Sequence, residues 1–435
     1  MSQARFDVVV AGAGPAGSAA ALVLARAGAR VALADKSAFP RDKACGDLIG
    51  PRGVQALAEL GVDVPEAGRG SDLLAIGPSG RRVRLPAYPG RRYAGHGIIC
   101  PRLQFDDALR AAAIAAGAVP VRARISAADT GPGGQVRALL AADGQRLGGD
   151  VIIGADGALS PVAQLAGMLG QDRALWGFAI RAYLPAEVPM PLLVLLDRQP
   201  WRIYPGYGWL FPGDGGQANV GIGVGLGTAR RSTALRADLA RFCERLRGWG
   251  DLAAGAGHGP VTGGWLRMGG TGAPLAAGNV LLAGDAAGLI NPLQGEGIAE
   301  ALISGRLAAE AVIAGPGRAG PAYAGAVAAA FGPYLAGAAA LQSAMLARPR
   351  LTSAGVRLLT APVVSRMLAG TWSVYWNGLA DGARPRPAAW AAAAVQGLAG
   401  LVARSGPGPV PEVAAAPEAA QDGPAAEATA GRARA

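Results

Sequence analysis

The first thirty-five residues constrain the fold more than any other part of the chain. Residues 6–11 (FDVVVA) form a short, β-branched, apolar run of the kind a strand buried on both faces requires. The run ends in Gly12-Ala13-Gly14-Pro15-Ala16-Gly17. A helical stretch follows over about residues 18–27, with Gly28 placed to end it, and residues 31–34 read as a second strand closing at Asp35. This is a complete βαβ unit, and each glycine of its GxGxxG turn has a physical reason. Gly12 allows the tight turn, Gly14 lets backbone approach a pyrophosphate, and Gly17 lets helix and strand pack closely. The N–H groups of the helix start, around Ala16, favour a diphosphate. Asp35 is placed to accept hydrogen bonds from an adenosine ribose. The unit predicts a dinucleotide-binding α/β domain without separating NAD from FAD. A later glycine run, Gly221 to Gly227, sits in a stretch that reads as a strand with no helix starting at its last glycine, so it is not read as a second nucleotide loop.

Composition narrows the class further. With 51% hydrophobic and 16% charged residues over 435 positions, the chain is not globally disordered. Its net charge of +11 is almost all arginine, the only lysines being Lys36 and Lys43. No block of like charge and no basic stripe interleaved with aromatics is present, which argues against nucleic acid as a partner. A diffuse positive surface suits an anionic membrane face or phosphorylated ligands, and equally reflects a GC-rich codon bias. Cys45, Cys100 and Cys243 are odd in number and widely spaced, and His96 and His258 are the only histidines, so neither a disulfide framework nor a metal site is expected. The first strand begins without a signal peptide, which reads as a cytoplasmic location. Residues 387–403 are mostly alanine with Gln396 among them, suited to lying on a membrane rather than spanning one.

Further along, a helix is expected over residues 53–60, another over 103–116, two strands around the Gly131–Gly134 turn within 119–142, and a strand at 151–154. From 172 to 268 the character changes to tryptophan-bearing alternating strands with one helix near 233–246. Residues 280–283 return to an apolar strand, and helical sequence dominates 295–368. The expected organisation is a Rossmann-type α/β domain over 1–171 and 269–315, an inserted β-sheet substrate domain over 172–268, a helical region over 316–404, and a Pro/Ala/Gly-rich disordered tail over 405–435.

Distant motifs select FAD. The stretch NVLLAGDAAG from Asn279 resembles the second FAD motif of the glutathione-reductase-type flavoproteins, and that resemblance implies that Asp285 holds a ribityl hydroxyl. Gly295-Glu296-Gly297-Ile298 then opens a long helix whose first N–H groups, aimed at the flavin N1/C2=O edge, would stabilise the negative charge of reduced flavin. IGADGALS (residues 153–160) resembles the Asp-Gly motif of aromatic hydroxylases and their reductase relatives. It implies that Asp156 and Gly157 support the flavin pocket, while Ala163 stands where that pattern has an arginine. Pro101-Arg102, followed by Phe105, Asp106 and Leu109, resembles the segment whose arginine reaches the FAD.

The resemblance narrows at Lys43-Ala44-Cys45-Gly46 and at Tyr207-Gly208-Trp209-Leu210-Phe211-Pro212, which is followed after eight residues by Gly221-Ile222-Gly223. The second stretch is similar to the substrate-domain signature of the geranylgeranyl reductase family. The similarity runs over about residues 5–383, including Trp376-Asn377-Gly378 and Asp381-Gly382-Ala383. It implies a FAD-dependent reductase that saturates C=C bonds of a polyprenyl chain, recharged by NADPH or another external donor. Tyr207, Trp209, Phe211 and Pro212 would wall an apolar tunnel, with Gly221 and Gly223 leaving room for the prenyl chain. The Cys45-Gly46 region would lie beside the isoalloxazine, and Arg41 and Lys43 would draw Cys45 toward thiolate. Tyr207 and Cys45 are the candidate catalytic residues for proton delivery. A FAD-dependent monooxygenase on the same frame is the alternative reading, and a non-catalytic FAD-binding partner protein is the third; no WxWxIP stretch points to a halogenase. A quinone side chain, a glycerolipid, a free diphosphate and a specialised terpenoid all remain open as substrate, and electron donor and oligomeric state are not specified.

Overall fold

The computed structural model describes residues 5–364 with interruptions, the longest at 87–94, 170–174, 196–205 and 227–232. The N-terminal βαβ unit forms as its sequence dictates. Strand Arg5–Ala11 lies between Val31–Asp35 and Arg146–Gly154, parallel to both. Val119–Arg122 extends this sheet beyond Val31–Asp35, and Val280–Leu282 followed by Ala276–Ala277 extends it beyond Arg146–Gly154. Buried valines, leucines and alanines fill both faces of the central strands, as a parallel sheet covered on two sides requires.

Helices Pro15–Arg26 and Ile298–Ala314 pack against each other over this sheet. Their approach is close: a Cβ on Gly305 would lie 2.1 Å from the carbonyl oxygen of Ala16. Any side chain at Gly305 would push helix Ile298–Ala314 away from the start of helix Pro15–Arg26, which forms part of the cofactor side of the site described below.

A second sheet has seven strands in the order Thr262–Met268, Leu175–Pro185, Gln217–Leu226, Tyr207–Pro212, Leu192–Leu195, Asp72–Ile76, Arg82–Pro86. Alternation along Tyr207–Pro212 sorts its two faces. Gly208 and Leu210 face helix Thr233–Gly248, which covers that side with Leu239, Phe242 and Leu246. Tyr207, Trp209 and Phe211 face the other way, in a cluster with Leu73, Ala75 and Leu193. Because the aromatic face is left uncovered by that helix, it is available to form a wall against the Rossmann domain.

Two expectations need adjusting. The second sheet is not confined to 172–268: Leu192–Leu195 pairs in parallel with Asp72–Ile76, bringing in a hairpin from a hundred residues earlier. The stretch 119–142 holds three strands rather than two, since Val119–Arg122 joins the parallel sheet while Ile125–Thr130 and Val136–Ala141 pair as a hairpin. The helices at Pro51–Leu60, Arg102–Ala115, Thr233–Gly248 and Ile298–Ala314, followed by Ala319–Ala347, fall close to where the sequence places helix. Most of the glycine run at 221–227 lies inside strand Gln217–Leu226, as its pattern indicates. Residues 365–435, which include the 387–403 stretch, the Trp376 to Ala383 segment and the tail, lie outside the described residues. Among the described residues no helix is long and apolar enough to cross a membrane.

Candidate active site

The glycine turn shows three different reasons for glycine. Gly12 has φ 97°, and a Cβ there would lie 2.2 Å from the Ala155 carbonyl oxygen. A Cβ on Gly17 would meet the Gly12 carbonyl oxygen at 1.8 Å. Gly14 is different: a Cβ would meet only Nη2 of Arg41, at 3.4 Å. Gly14 is the N-cap of helix Pro15–Arg26 and supplies no side-chain cap. An uncapped helix start beside open space and an arginine is what a diphosphate needs, so the residues present fit the pyrophosphate of a dinucleotide. Asp35 accepts the N–H groups of Ala13 and Ser37, both at 2.8 Å, which fixes the turn and leaves lone pairs for a ribose.

Beside the turn, Asp106 is fully buried between two arginines. Arg102 donates from Nε and Nη2 to its two oxygens at 2.8 Å, and Arg41 approaches at 2.9 Å. Arg102 is therefore a buried, bidentately held cation rather than a surface residue at a helix start. Asp156 caps helix Pro161–Leu165, accepting Ser160 Oγ and the Val162 N–H at 3.0 Å. Burial pushes its carboxyl above the usual range despite these bonds. Its contacts are those of a residue supporting the pocket.

A cavity of ≈ 190 Å³ lies between the Rossmann domain and the aromatic face of the second sheet. Pro15, Cys45, Gly46, Arg102, Asp285 and Gly295 to Ile298 line one side, and Tyr207, Trp209 and Phe211 line the other, with Leu73, Leu193 and Trp265. Asp285 sits in the short turn Gly284–Ala287 after strand Val280–Leu282, where Lys43 Nζ approaches it at 3.1 Å. Helix Ile298–Ala314 also starts on the cavity without a side-chain cap, its N-cap being Gly297. Two uncapped helix starts thus converge on one space, and both carry the positive end of a helix dipole. Tyr207 links the walls: its hydroxyl donates to the Gln294 carbonyl at 2.7 Å, and a Cβ on Gly295 (φ 69°) would lie 2.6 Å from that hydroxyl.

One of the two signature glycines has a task other than the one expected. Neither Gly221 nor Gly223 lines the cavity, and Pro212 does not either. A Cβ on Gly221 would lie 2.1 Å from Cζ2 of Trp209, so this glycine makes room for the indole and not for substrate. At Gly223 a Cβ would make only ordinary contact with the Tyr207 ring, 3.6 Å away.

Cys45 also departs from expectation. The cations that should favour its thiolate are engaged elsewhere, Arg41 with Asp106 and Lys43 with Asp285. Burial pushes the Cys45 thiol above its ordinary range, and the nearby Arg102 offsets this only in part. Its Sγ accepts the Asp47 N–H at 3.4 Å. Burial therefore favours the thiol over the thiolate at Cys45.

Sequence reasoning missed the residue that holds this loop in place. Asp47 is buried in a left-handed conformation (φ 62°). It accepts the Tyr183 hydroxyl at 2.5 Å, Nδ2 of Asn219 at 2.7 Å and the Arg102 N–H at 3.2 Å. Asn219 in turn donates to the Cys45 carbonyl and accepts Nε1 of Trp209, both at 2.8 Å. The Cys45-Gly46 loop and the aromatic wall are thereby one hydrogen-bonded unit. A Cβ on Gly46 would meet the Phe211 ring at 2.9 Å, so loop and wall also touch directly. A polar Asp-Asn pairing at the edge of two motifs was the available signal, but its members are 172 residues apart.

Also missed was Glu296, which lines the cavity between Gly295 and Gly297. Burial, and then the charge of Glu300, raise its carboxyl to about 8, opposed by the Gly50 N–H and by Arg52.

A Rossmann sheet whose glycine turn opens onto a cavity shared with a separate β-sheet defines a class, the flavoproteins that bind FAD through this fold; residues 5–180 match the FAD binding domain family. Over 324 residues the chain is 38% identical to a menaquinone reductase of Mycolicibacterium smegmatis, covering 72% of this chain and 77% of that protein. It is 31% identical over 326 residues to digeranylgeranylglycerophospholipid reductase 1 of Methanopyrus kandleri, covering 71% and 80%. A geranylgeranyl bacteriochlorophyll reductase-like protein of Thermoplasma acidophilum shares the fold, with a TM-score of 0.69 at 24% identity over 79% of this chain and 88% of that one. The chain belongs to the geranylgeranyl reductase family of FAD-dependent oxidoreductases.

Proposed function

We propose that this protein saturates isolated C=C bonds in the polyprenyl chain of a quinone. The observation that carries the reading is the shared cavity onto which both the Asp285/Gly297 side and the Tyr207/Trp209/Phe211 side open. The choice of a quinone-borne chain over a glycerolipid rests on relatives: those named menaquinone reductase are 38–39% identical, those named for glycerophospholipids 28–31%.

FAD, when bound, supplies the hydride, and an external donor such as NADPH recharges it. The glycine turn and helix start Pro15–Arg26 would hold its diphosphate, Asp35 its ribose, and Asp285 a ribityl hydroxyl. Trp209, Phe211, Leu73, Leu193 and Trp265 give the chain an apolar wall and exclude water. An unactivated alkene has no carbonyl to take up charge, so a proton must reach the second carbon as hydride reaches the first. The Tyr207 proton is already donated to Gln294. Cys45 keeps its proton at neutral pH because of burial, and it lines the cavity. We therefore assign Cys45 as the proton donor, with Asp47 and Asn219 as the groups that position it and solvent as the source that reprotonates it. Net charge of +11 favours docking on an anionic membrane, from which the chain would be drawn into the cavity.

Mass spectrometry of the lipids of a deletion strain tests the proposal. Loss of a partly saturated quinone and appearance of its fully unsaturated precursor supports it. An unchanged quinone profile with an altered glycerolipid or a missing oxygenated product would reassign the substrate or the reaction.

A further inference from the structure

Two carboxyl groups flank the start of helix Ile298–Ala314, and the charge of one acts on the other. Glu296 lines the cavity just before the helix, and Glu300 lies in its first turn. Glu300 is 4% exposed, and its Oε2 has no hydrogen-bond partner among the described residues. Glu296 Oε1 accepts the Gly50 N–H at 3.3 Å.

One cation opposes burial at the pair. Helix Pro51–Leu60 brings Arg52, whose charge favours the ionised form of both carboxyls, while its guanidinium donates to the neutral Ala330 carbonyl at 3.2 Å and lies over the Phe331 ring, 4.7 Å from the centroid. The turn Gly284–Ala287 adds the negative charge of Asp285, held by Lys43 at 3.1 Å. Arg267, from strand Thr262–Met268, donates to the Ala286 carbonyl. From the aromatic strand, the Tyr207 hydroxyl is committed to Gln294. Helix Pro15–Arg26 contributes only Arg26, at its far end on the Leu60 carbonyl, and helix Ala319–Ala347 contributes Tyr323, on the Leu282 carbonyl. Two ionised carboxylates that share Arg52 as a cation, with Glu300 buried and its charge acting on Glu296, are disfavoured. The pair therefore holds a proton, and it titrates as a unit.

The position of that proton matters because of the helix. Ile298–Ala314 points its uncapped positive end at the cavity. A neutral acid leaves that end electropositive, whereas a carboxylate cancels it.

We propose that Glu296 and Glu300 form a proton-holding pair coupled to the charge of the bound cofactor, so that negative charge gained on reduction is matched in the alkaline range by a proton drawn into the pair. The proposal rests on the FAD reading. Linkage makes the coupling reciprocal: the ionised pair opposes reduction, and reduction strengthens the pair's hold on its proton. The sign follows from burial, which raises Glu296 to about 8. Below that pH the pair is already protonated and reduction takes up nothing extra there. Above it the oxidised enzyme has lost the proton, and reduction draws it back.

Spectroelectrochemical titration of the FAD-loaded protein on both sides of pH 8 tests this. Each proton taken up in a two-electron reduction lowers the potential by about 30 mV per tenfold change in proton activity. Wild type should show a one-proton slope just below pH 8 and a two-proton slope, about 60 mV per unit, above it. Glu296→Gln should bind FAD and keep the one-proton slope on both sides. Glu300→Gln removes the like charge, so the steepening should begin at lower pH. Equal wild-type slopes on both sides, or steepening retained in Glu296→Gln, would overturn the proposal. Wild-type protein that takes up no FAD would overturn the FAD reading, and this proposal with it.

Discussion

Replacing Gly221 by alanine probes the aromatic wall, because the space an alanine needs is already filled. Its Cβ would lie 2.1 Å from Cζ2 of Trp209 and 2.6 Å from the carbonyl oxygen of Ile180. That carbonyl belongs to the neighbouring strand Leu175–Pro185 and cannot retreat without opening the ladder, so the indole must move. The indole is buried and pinned by its 2.8 Å bond to Asn219. Overpacking of this kind costs about 1–3 kcal/mol. Stranding Nε1 and its acceptor adds a desolvation cost on the order of 1–3 kcal/mol. Gly223→Ala, two residues along the same strand, is the matched control. Its Cβ would rest 3.6 Å from the Tyr207 ring, in ordinary contact. It should stay within about 0.5 kcal/mol of wild type, or gain slightly from a stiffer unfolded chain. Urea unfolding followed by far-UV circular dichroism gives both values on the FAD-loaded protein, with flavin absorbance reporting cofactor content. Gly221→Ala should unfold at clearly lower urea while still binding FAD, because the glycine turn is untouched. Equal stability of the two variants would refute the packing assigned to Trp209.

Three further outcomes follow from the site. Asp285→Ala should weaken FAD binding by about 1–3 kcal/mol, some 5- to 150-fold, measured by flavin release on dilution; unchanged affinity would remove Asp285 from the cofactor site. Gly14→Val should abolish FAD binding while the apoprotein unfolds near wild type, since only the flexible tip of Arg41 lies close, whereas Gly17→Ala should damage the fold itself. Alkylation of Cys45 should remain slow at neutral pH and rise only above the ordinary thiol range, because burial holds the proton on; rapid labelling near pH 7 would restore the thiolate reading.

What could be read in advance was local. The glycine turn, Asp35 and the strand-turn carrying Asp285 each declare themselves within a few residues, because one strand–helix or strand–turn junction fixes the geometry. Tyr207, Trp209 and Phe211 were legible as one face because strand alternation needs no partner to define it. The hairpin Asp72–Ile76 and Arg82–Pro86 was not, since only pairing with Leu192–Leu195 reveals its sheet. Charge was misread at Cys45 for a related reason: Arg41 and Lys43 are neighbours in sequence, yet they turn to Asp106 and Asp285. The upward shift of the Glu296 carboxyl could not be recognised, because it depends on burial and on Glu300 rather than on residue type. Gly221 and Gly223 look alike in the signature, and only the position of the Trp209 ring separates them.

Reaction of purified, FAD-loaded protein with a fully unsaturated polyprenyl quinone and a chemical reductant, without oxygen and in deuterated water, tests the central claim. The product should gain two deuterium atoms per reduced bond in the prenyl chain, because a chemical reductant supplies only electrons and both hydrogens come from solvent, and Cys45→Ala should lower that yield while leaving FAD bound. A product that carries an oxygen atom when air is admitted, with an untouched prenyl chain in its absence, would contradict the account and place the chemistry with monooxygenation.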